Sequence, residues 1–139
     1  MVSGYPDFEG GKQKIYLVPE WASKEAVDKS LYGVGGGVRL AYVVVNYTVS
    51  TGKTLYIVHF AFGAVAGLEG DAELNQICRG LIVDATDSTT YLNYAKNGGD
   101  STPLSKPIVF PSAHICRIGC YNHSNHNCDL MVCAFGYEV

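Results

Sequence analysis

The chain has 139 residues, of which 47% are hydrophobic and 17% are charged. A chain of this length can bury one core without disulfides or metals, so a single globular domain suffices. The net charge of −3 lacks the clustered basic character of nucleic-acid-binding proteins and excludes that class. Sixteen glycines and ten tyrosines favour a β-rich fold, because glycine adopts turn conformations and tyrosine packs on half-buried sheet faces.

Residues 1–37 are predicted to form an N-terminal arm and connector. The first thirteen residues are rich in glycine, proline and charge and cannot bury themselves. Tyr5, Phe8 and the later Trp21 are the apolar side chains with which such an arm would contact a neighbouring subunit. We therefore expect the protein to be a homo-oligomer.

One short helix is predicted within this arm. Residues 20–32 have helical composition, with four-residue spacing between Val27 and Leu31. The glycines between Gly33 and Gly37 end this unit, and the β-sandwich domain is predicted over residues 38–139.

The start of the sequence shows no basic segment followed by an apolar core, and no apolar run reaches the length of a membrane span. The expected place of synthesis is therefore a cytosol, with no membrane partner. Five cysteines without a secretory signal indicate reduced and mostly buried thiols rather than a disulfide framework.

The rest of the chain reads as strands separated by turn residues. β-branched and aromatic residues dominate each segment, and glycine, asparagine, aspartate and proline lie between the segments. With a short β-like run before the helix, about eight strands are expected, at residues 14–19, 38–50, 53–66, 76–85, 89–96, 106–111, 114–121 and 128–135. This spacing predicts an all-β, jelly-roll-like double-sheet sandwich rather than alternating βαβ units.

The last two strands are predicted to form a hairpin across the polar loop 122–127. A register in which Cys120 faces Cys128 would place one apolar stripe on a single face of the hairpin. That stripe comprises Cys116, Ile118, Cys120, Cys128, Leu130 and Val132.

The same loop holds the residues that could converge on a zinc ion. A zinc ion needs four ligands at about 2.0–2.3 Å, and the set that could converge is Cys120, His123, His126 and Cys128. The loop has no Cys-x-x-Cys motif to pre-shape the site, so buried thiols and solvated histidines are the preferred interpretation. No metal or other cofactor is expected.

Catalysis is not expected either. A cysteine nucleophile needs an adjacent base and an orienting third group, and the spacing within the loop supplies no complete set. Gly52-Lys53-Thr54 matches the end of a phosphate-binding loop, but a strand follows where a helix is required.

One strand and a small turn such as Pro111-Ser112-Ala113 are followed by a second strand, an Asn/Ser loop and a closing strand. This order of elements resembles the small jelly-roll virion proteins of tailed bacteriophages. The resemblance covers roughly residues 38–139. It implies a non-enzymatic structural protein that oligomerises and decorates or extends a capsid or fibre. It also implies a major capsid protein or other virion subunit as partner, and a virion location after assembly in the host cytoplasm.

Two other functions stay open. Tyr91, Tyr94 and Tyr121 could form the aromatic face of a carbohydrate- or receptor-binding module, although tyrosines on strands more often serve sheet packing. A small metal-dependent protein that uses the Cys120–Cys128 loop is the third function.

Overall fold

The computed structural model describes residues 27–37, 41–66, 76–124 and 127–139. These ranges form eight strands: β1 (Val27–Gly37), β2 (Tyr42–Thr48), β3 (Leu55–Ala66), β4 (Ile77–Asp84), β5 (Thr89–Asn97), β6 (Gly99–Phe110), β7 (Ile115–Asn122) and β8 (Cys128–Glu138). Within the described ranges there is no helix, and hence none that could span a membrane.

The strands form two antiparallel four-stranded sheets. Sheet A has the order β1-β8-β3-β6 and sheet B the order β2-β7-β4-β5. The first strand therefore pairs with the eighth, the second with the seventh, the third with the sixth and the fourth with the fifth. This nested pairing is the jelly-roll arrangement, and the predicted all-β double-sheet sandwich is confirmed.

The core lies between the sheets and follows from the alternation of side chains along each strand. Alternate residues of β4 and β8 are buried along the whole length of each strand. The largest fully buried apolar side chains come from both sheets and from the turns that join them: Val49, Leu55, Ile57, Phe60, Ile82, Phe110, Ile118 and Val132. Both sheets thus present one apolar face inward and leave one face outward.

The predicted helix over residues 20–32 is wrong for residues 27–32, which belong to β1. β1 pairs with β8 along its whole length, from Val27 opposite Glu138 to Gly37 opposite Cys128. The described part of the predicted arm is therefore an edge strand of the sandwich, and the proposed boundary after residue 37 moves to residue 27 or earlier. The remaining arm residues, Tyr5, Phe8 and Trp21 among them, lie outside the described residues.

The predicted hairpin of the last two strands is also corrected. β7 pairs with β2 and β4 in sheet B, whereas β8 pairs with β1 and β3 in sheet A. The chain crosses from one sheet to the other between them. The predicted apolar stripe is nevertheless buried at all six positions, because its two halves face each other across the core: Cys116, Ile118, Cys120, Cys128, Leu130 and Val132.

Candidate functional site

The outer side of sheet B combines aromatic and basic side chains. Since Val43, Ile118 and Ile82 point into the core, their neighbours along β2, β7 and β4 point outward. Cross-strand pairing then sets the outward residues in rows. We call this surface the sheet B face; its central residues are Tyr42, Val44, Asn46, Arg79, Leu81, Asn93, Arg117, Gly119 and Tyr121.

Two tyrosines form a platform at one end of the sheet B face. Tyr42 lies opposite Tyr121 in the β2–β7 pair, and their rings stack with centroids 5.0 Å apart and planes 23° from parallel. The rings of His123 and Tyr121 pack edge to face, with centroids 6.3 Å apart. Tyr42 is 60% exposed, so the platform offers an aromatic surface to solvent.

Two arginines lie on the same face, each held by an asparagine. Arg79 is opposite Tyr121 and donates from Nη1 to Oδ1 of Asn93 at 2.8 Å. Arg117 donates from Nε to Oδ1 of Asn46 at 2.7 Å. A guanidinium has five N–H donors, so each bond orients the group and leaves most of its donors for a ligand. This arrangement suits planar anions such as carboxylates, which arginine binds with two parallel hydrogen bonds.

The three tyrosines predicted to face a sugar do not lie together. Tyr121 is part of the platform. Tyr94 instead packs edge-on against Phe62 at 5.2 Å and donates from its hydroxyl to Oδ2 of Asp100 at 2.9 Å. Tyr91 packs against Phe110 at 5.5 Å. Tyr42 could not be identified from the sequence, because only the cross-strand register brings it to Tyr121.

Of the four residues considered as zinc ligands, Cys120 and Cys128 are core residues. Cys120 is buried and donates from Sγ to the Gly63 carbonyl oxygen at 3.6 Å. Cys128 is buried, with Sγ 3.3 Å from Oγ of Ser124, and His123 contacts the tyrosine platform. His126 lies outside the described residues.

The thiols near this set are protonated core groups. A hydrogen bond with Cys120, together with burial, raises the pKa of Cys78 far above its ordinary value. Burial, with a smaller contribution from the Asp84 carboxylate, raises the pKa of Cys116 to about 12. Such thiols pack as small apolar side chains and are poor nucleophiles.

A different group brings three potential metal ligands together in the described part of the chain. Ligand atoms of Asp84, Asp87 and His114 lie within 4.8 Å of one another. The hydrogen bonds of this group connect two turns of the chain. Oδ2 of the buried Asp84 lies 2.7 Å from Nδ1 of His114, while its Oδ1 accepts a hydrogen bond from the Thr86 amide at 2.9 Å. Asp84 therefore ties the β4–β5 turn to the turn before β7.

The outer side of sheet A differs from the sheet B face in carrying several exposed aliphatic side chains. Tyr32 and Val34 of β1 and Val65 of β3 are each about 60% exposed. Farther along the sheet, Tyr56 and Tyr137 stack with ring centroids 5.1 Å apart. We call this surface the sheet A face. It contains an open recess of about 440 Å³ lined by Val34, Gly35, Gly63, Ala64, Val65, Gly98, Asp129, Leu130 and Met131.

Comparison of the sequence with protein-family models gives no match, and comparison with the curated proteins gives none at a significant level.

Proposed function

We propose that the chain is a non-enzymatic structural virion protein that self-associates and decorates or extends a phage capsid or fibre. Its partners would be further copies of itself and a major capsid protein or other virion subunit. The fold supports this proposal, because jelly rolls are frequent in viral capsid proteins. The observation that carries it is the sheet A face with its exposed aliphatic side chains.

Self-association through the sheet A face would remove exposed apolar side chains from water. Tyr32 (61%), Val34 (62%) and Val65 (59%) are the most exposed of its large apolar residues. Full burial of such a side chain contributes about 1.5–3 kcal/mol, from which the costs of association are subtracted. Contiguous exposed apolar surface of this kind commonly marks a protein–protein interface.

The arm remains part of the proposal. β1, which contains the last residues of the predicted arm and connector, is an edge strand of sheet A. From there we expect Tyr5, Phe8 and Trp21 to contact a neighbouring subunit.

Light scattering on the purified, reduced protein tests self-association. The wild type is expected to form a defined oligomer, and Tyr32→Glu is expected to shift it toward monomer. Tyr42→Glu is a matched control, because Tyr42 is 60% exposed but belongs to the sheet B face. A monomeric wild type, or equal effects of the two variants, would contradict the proposal.

Adding a chelator to the same samples tests the metal-dependent alternative. The mass and the fold are expected to stay unchanged. Loss of structure on chelation would instead favour a metal site at the Cys120–Cys128 loop.

The second candidate function is a carbohydrate- or receptor-binding module. The exposed ring of Tyr42, whose other face is covered by Tyr121, favours it, since an exposed aromatic ring offers apolar surface on which a sugar ring can stack. Binding to a glycan array that is lost in Tyr42→Ser and kept in Tyr32→Ser would support this function.

A further inference from the structure

We propose that the sheet B face binds saccharides that carry carboxylate groups. The exposed Tyr42 ring, supported by Tyr121, would contact a sugar ring, and Arg79 and Arg117 would bind the carboxylates. This inference rests on the second candidate function and names its ligand class and its contacts.

The tyrosine platform and Arg79 form the first subsite. Arg79 and Tyr42 flank Tyr121 on neighbouring strands, so all three outward side chains stand in one row across the sheet. Neighbouring strands lie about 4.8 Å apart. A sugar that lies across this row would therefore bring a ring carboxylate within reach of the guanidinium.

Arg117 provides the second subsite. It precedes Tyr121 by four positions, which corresponds to roughly 13 Å along β7 at about 3.3 Å per residue. Gly119 lies between Arg117 and Tyr121 and has no side chain, so the sheet B face is recessed there. Val44 and Leu81 lie on either side of it. The spacing suits a short oligosaccharide rather than a single sugar.

The local charge favours an anion. The chain has a net charge of −3, yet the outward strand residues of the sheet B face include two arginines and no acidic residue. The asparagine partners neutralise neither guanidinium. Two cations are too few for a nucleic-acid backbone, which binding proteins contact through many phosphates. A sparsely charged acidic saccharide matches this pattern better.

Calorimetric titration with acidic oligosaccharides tests the inference. The probes are galacturonate, glucuronate and sialic acid oligosaccharides, each compared with its uncharged methyl ester. We expect the acid form to bind more tightly than the ester, with an affinity that falls as salt is added. Arg79→Gln should weaken binding about ten-fold or more, because a hydrogen-bonded charge pair is lost.

Two further variants separate binding from folding. Arg79→Lys keeps the charge but loses the planar fork, so it should also bind more weakly while retaining the wild-type circular dichroism spectrum. Tyr32→Ser alters the opposite face at matched exposure and should bind normally.

Each contrary result has its own meaning. Equal binding of acids and methyl esters would overturn the role of the arginines while leaving carbohydrate binding intact. Absence of binding to every probe would overturn both the inference and the second candidate function. Tighter binding of oligo-thymidylate than of any saccharide would overturn the inference in favour of a nucleic acid.

Discussion

Phe62 of sheet A lies directly over Gly80 of sheet B, so that a Cβ atom built on Gly80 would be 2.6 Å from Cε1 of the phenylalanine ring. The ring in turn contacts Phe60 and Tyr94. The two sheets pack closely at this point because the aromatic ring of sheet A occupies the space that a side chain at Gly80 of sheet B would need.

Gly80→Ala should therefore destabilise the sandwich. The added methyl group has to displace a packed ring, and overpacking of this kind costs about 1–3 kcal/mol. Gly35→Ala is the control, because its Cβ would have its nearest contact at 3.6 Å from Val43 and should change stability by no more than about 0.5 kcal/mol. Urea denaturation measures both, and equal midpoints would contradict the close approach.

Glu138 is a buried carboxylate whose loss should be costly. It accepts hydrogen bonds from the Tyr47 hydroxyl at 2.7 Å and from the Ser50 amide and hydroxyl at 2.9 and 3.0 Å. Glu138→Ala leaves these donors without their acceptor, so a loss of about 1–3 kcal/mol or more in the free energy of unfolding is expected. Glu138→Gln keeps one acceptor oxygen and should lose less. If alanine and glutamine were equally well tolerated, the carboxylate would not fasten β8 to the β2–β3 loop.

The hydrogen bond between Tyr94 and Asp100 should make the stability of the fold depend on pH in the acid range. The Tyr94 hydroxyl, the Ser101 amide and the nearby Lys96 hold the pKa of Asp100 below its ordinary value of 3.8. A lowered folded-state pKa stabilises the fold above pH 3.8 and loses this contribution as the pH falls through the folded-state pKa. The stability gap between the wild type and Asp100→Asn should therefore narrow in that range, as followed by denaturation at several pH values. A difference in stability that widens as the pH falls would contradict the hydrogen bond between Tyr94 and Asp100.

The five thiols should differ in reactivity. Cys133 is half-buried at the sheet A face, whereas Cys78, Cys116, Cys120 and Cys128 are buried in the core. Iodoacetamide should therefore modify Cys133 first in the folded protein, slowly, because burial raises its pKa. Mass spectrometry of peptides from protein labelled at low concentration would show the order in which the thiols react. Cys133→Ser should abolish the first modification, and early labelling of Cys116 would contradict the described core.

Most strands could be predicted from the sequence, because alternation of apolar and polar residues is a local property. The error over residues 27–32 has a simple cause: a four-residue spacing, as between Val27 and Leu31, is close to one helical turn and is also an even number of strand positions. Periodicity over so short a segment cannot separate the two structures.

The pairing of the strands could not be predicted from the sequence. Alternation indicates which side of β7 and β8 is buried, and it did so correctly for Cys120 and Cys128. It does not indicate whether the two strands share a sheet or face each other across the core, since both arrangements bury the same residues. The same limit applies to the sheet B face, where Tyr42 and Tyr121 meet only through pairing of distant strands.

The nested pairing of the strands has a consequence for the order in which the chain can fold. β4 and β5 are joined by a short turn, whereas the pairs of β1 with β8 join residues about a hundred positions apart. Because closing a longer loop costs more entropy, contacts should form first at the β4–β5 turn and spread outward through β3–β6 and β2–β7. The edge strand β1, which carries Tyr32 and Val34, would then be the last to join, so the sheet A face is complete only when folding ends.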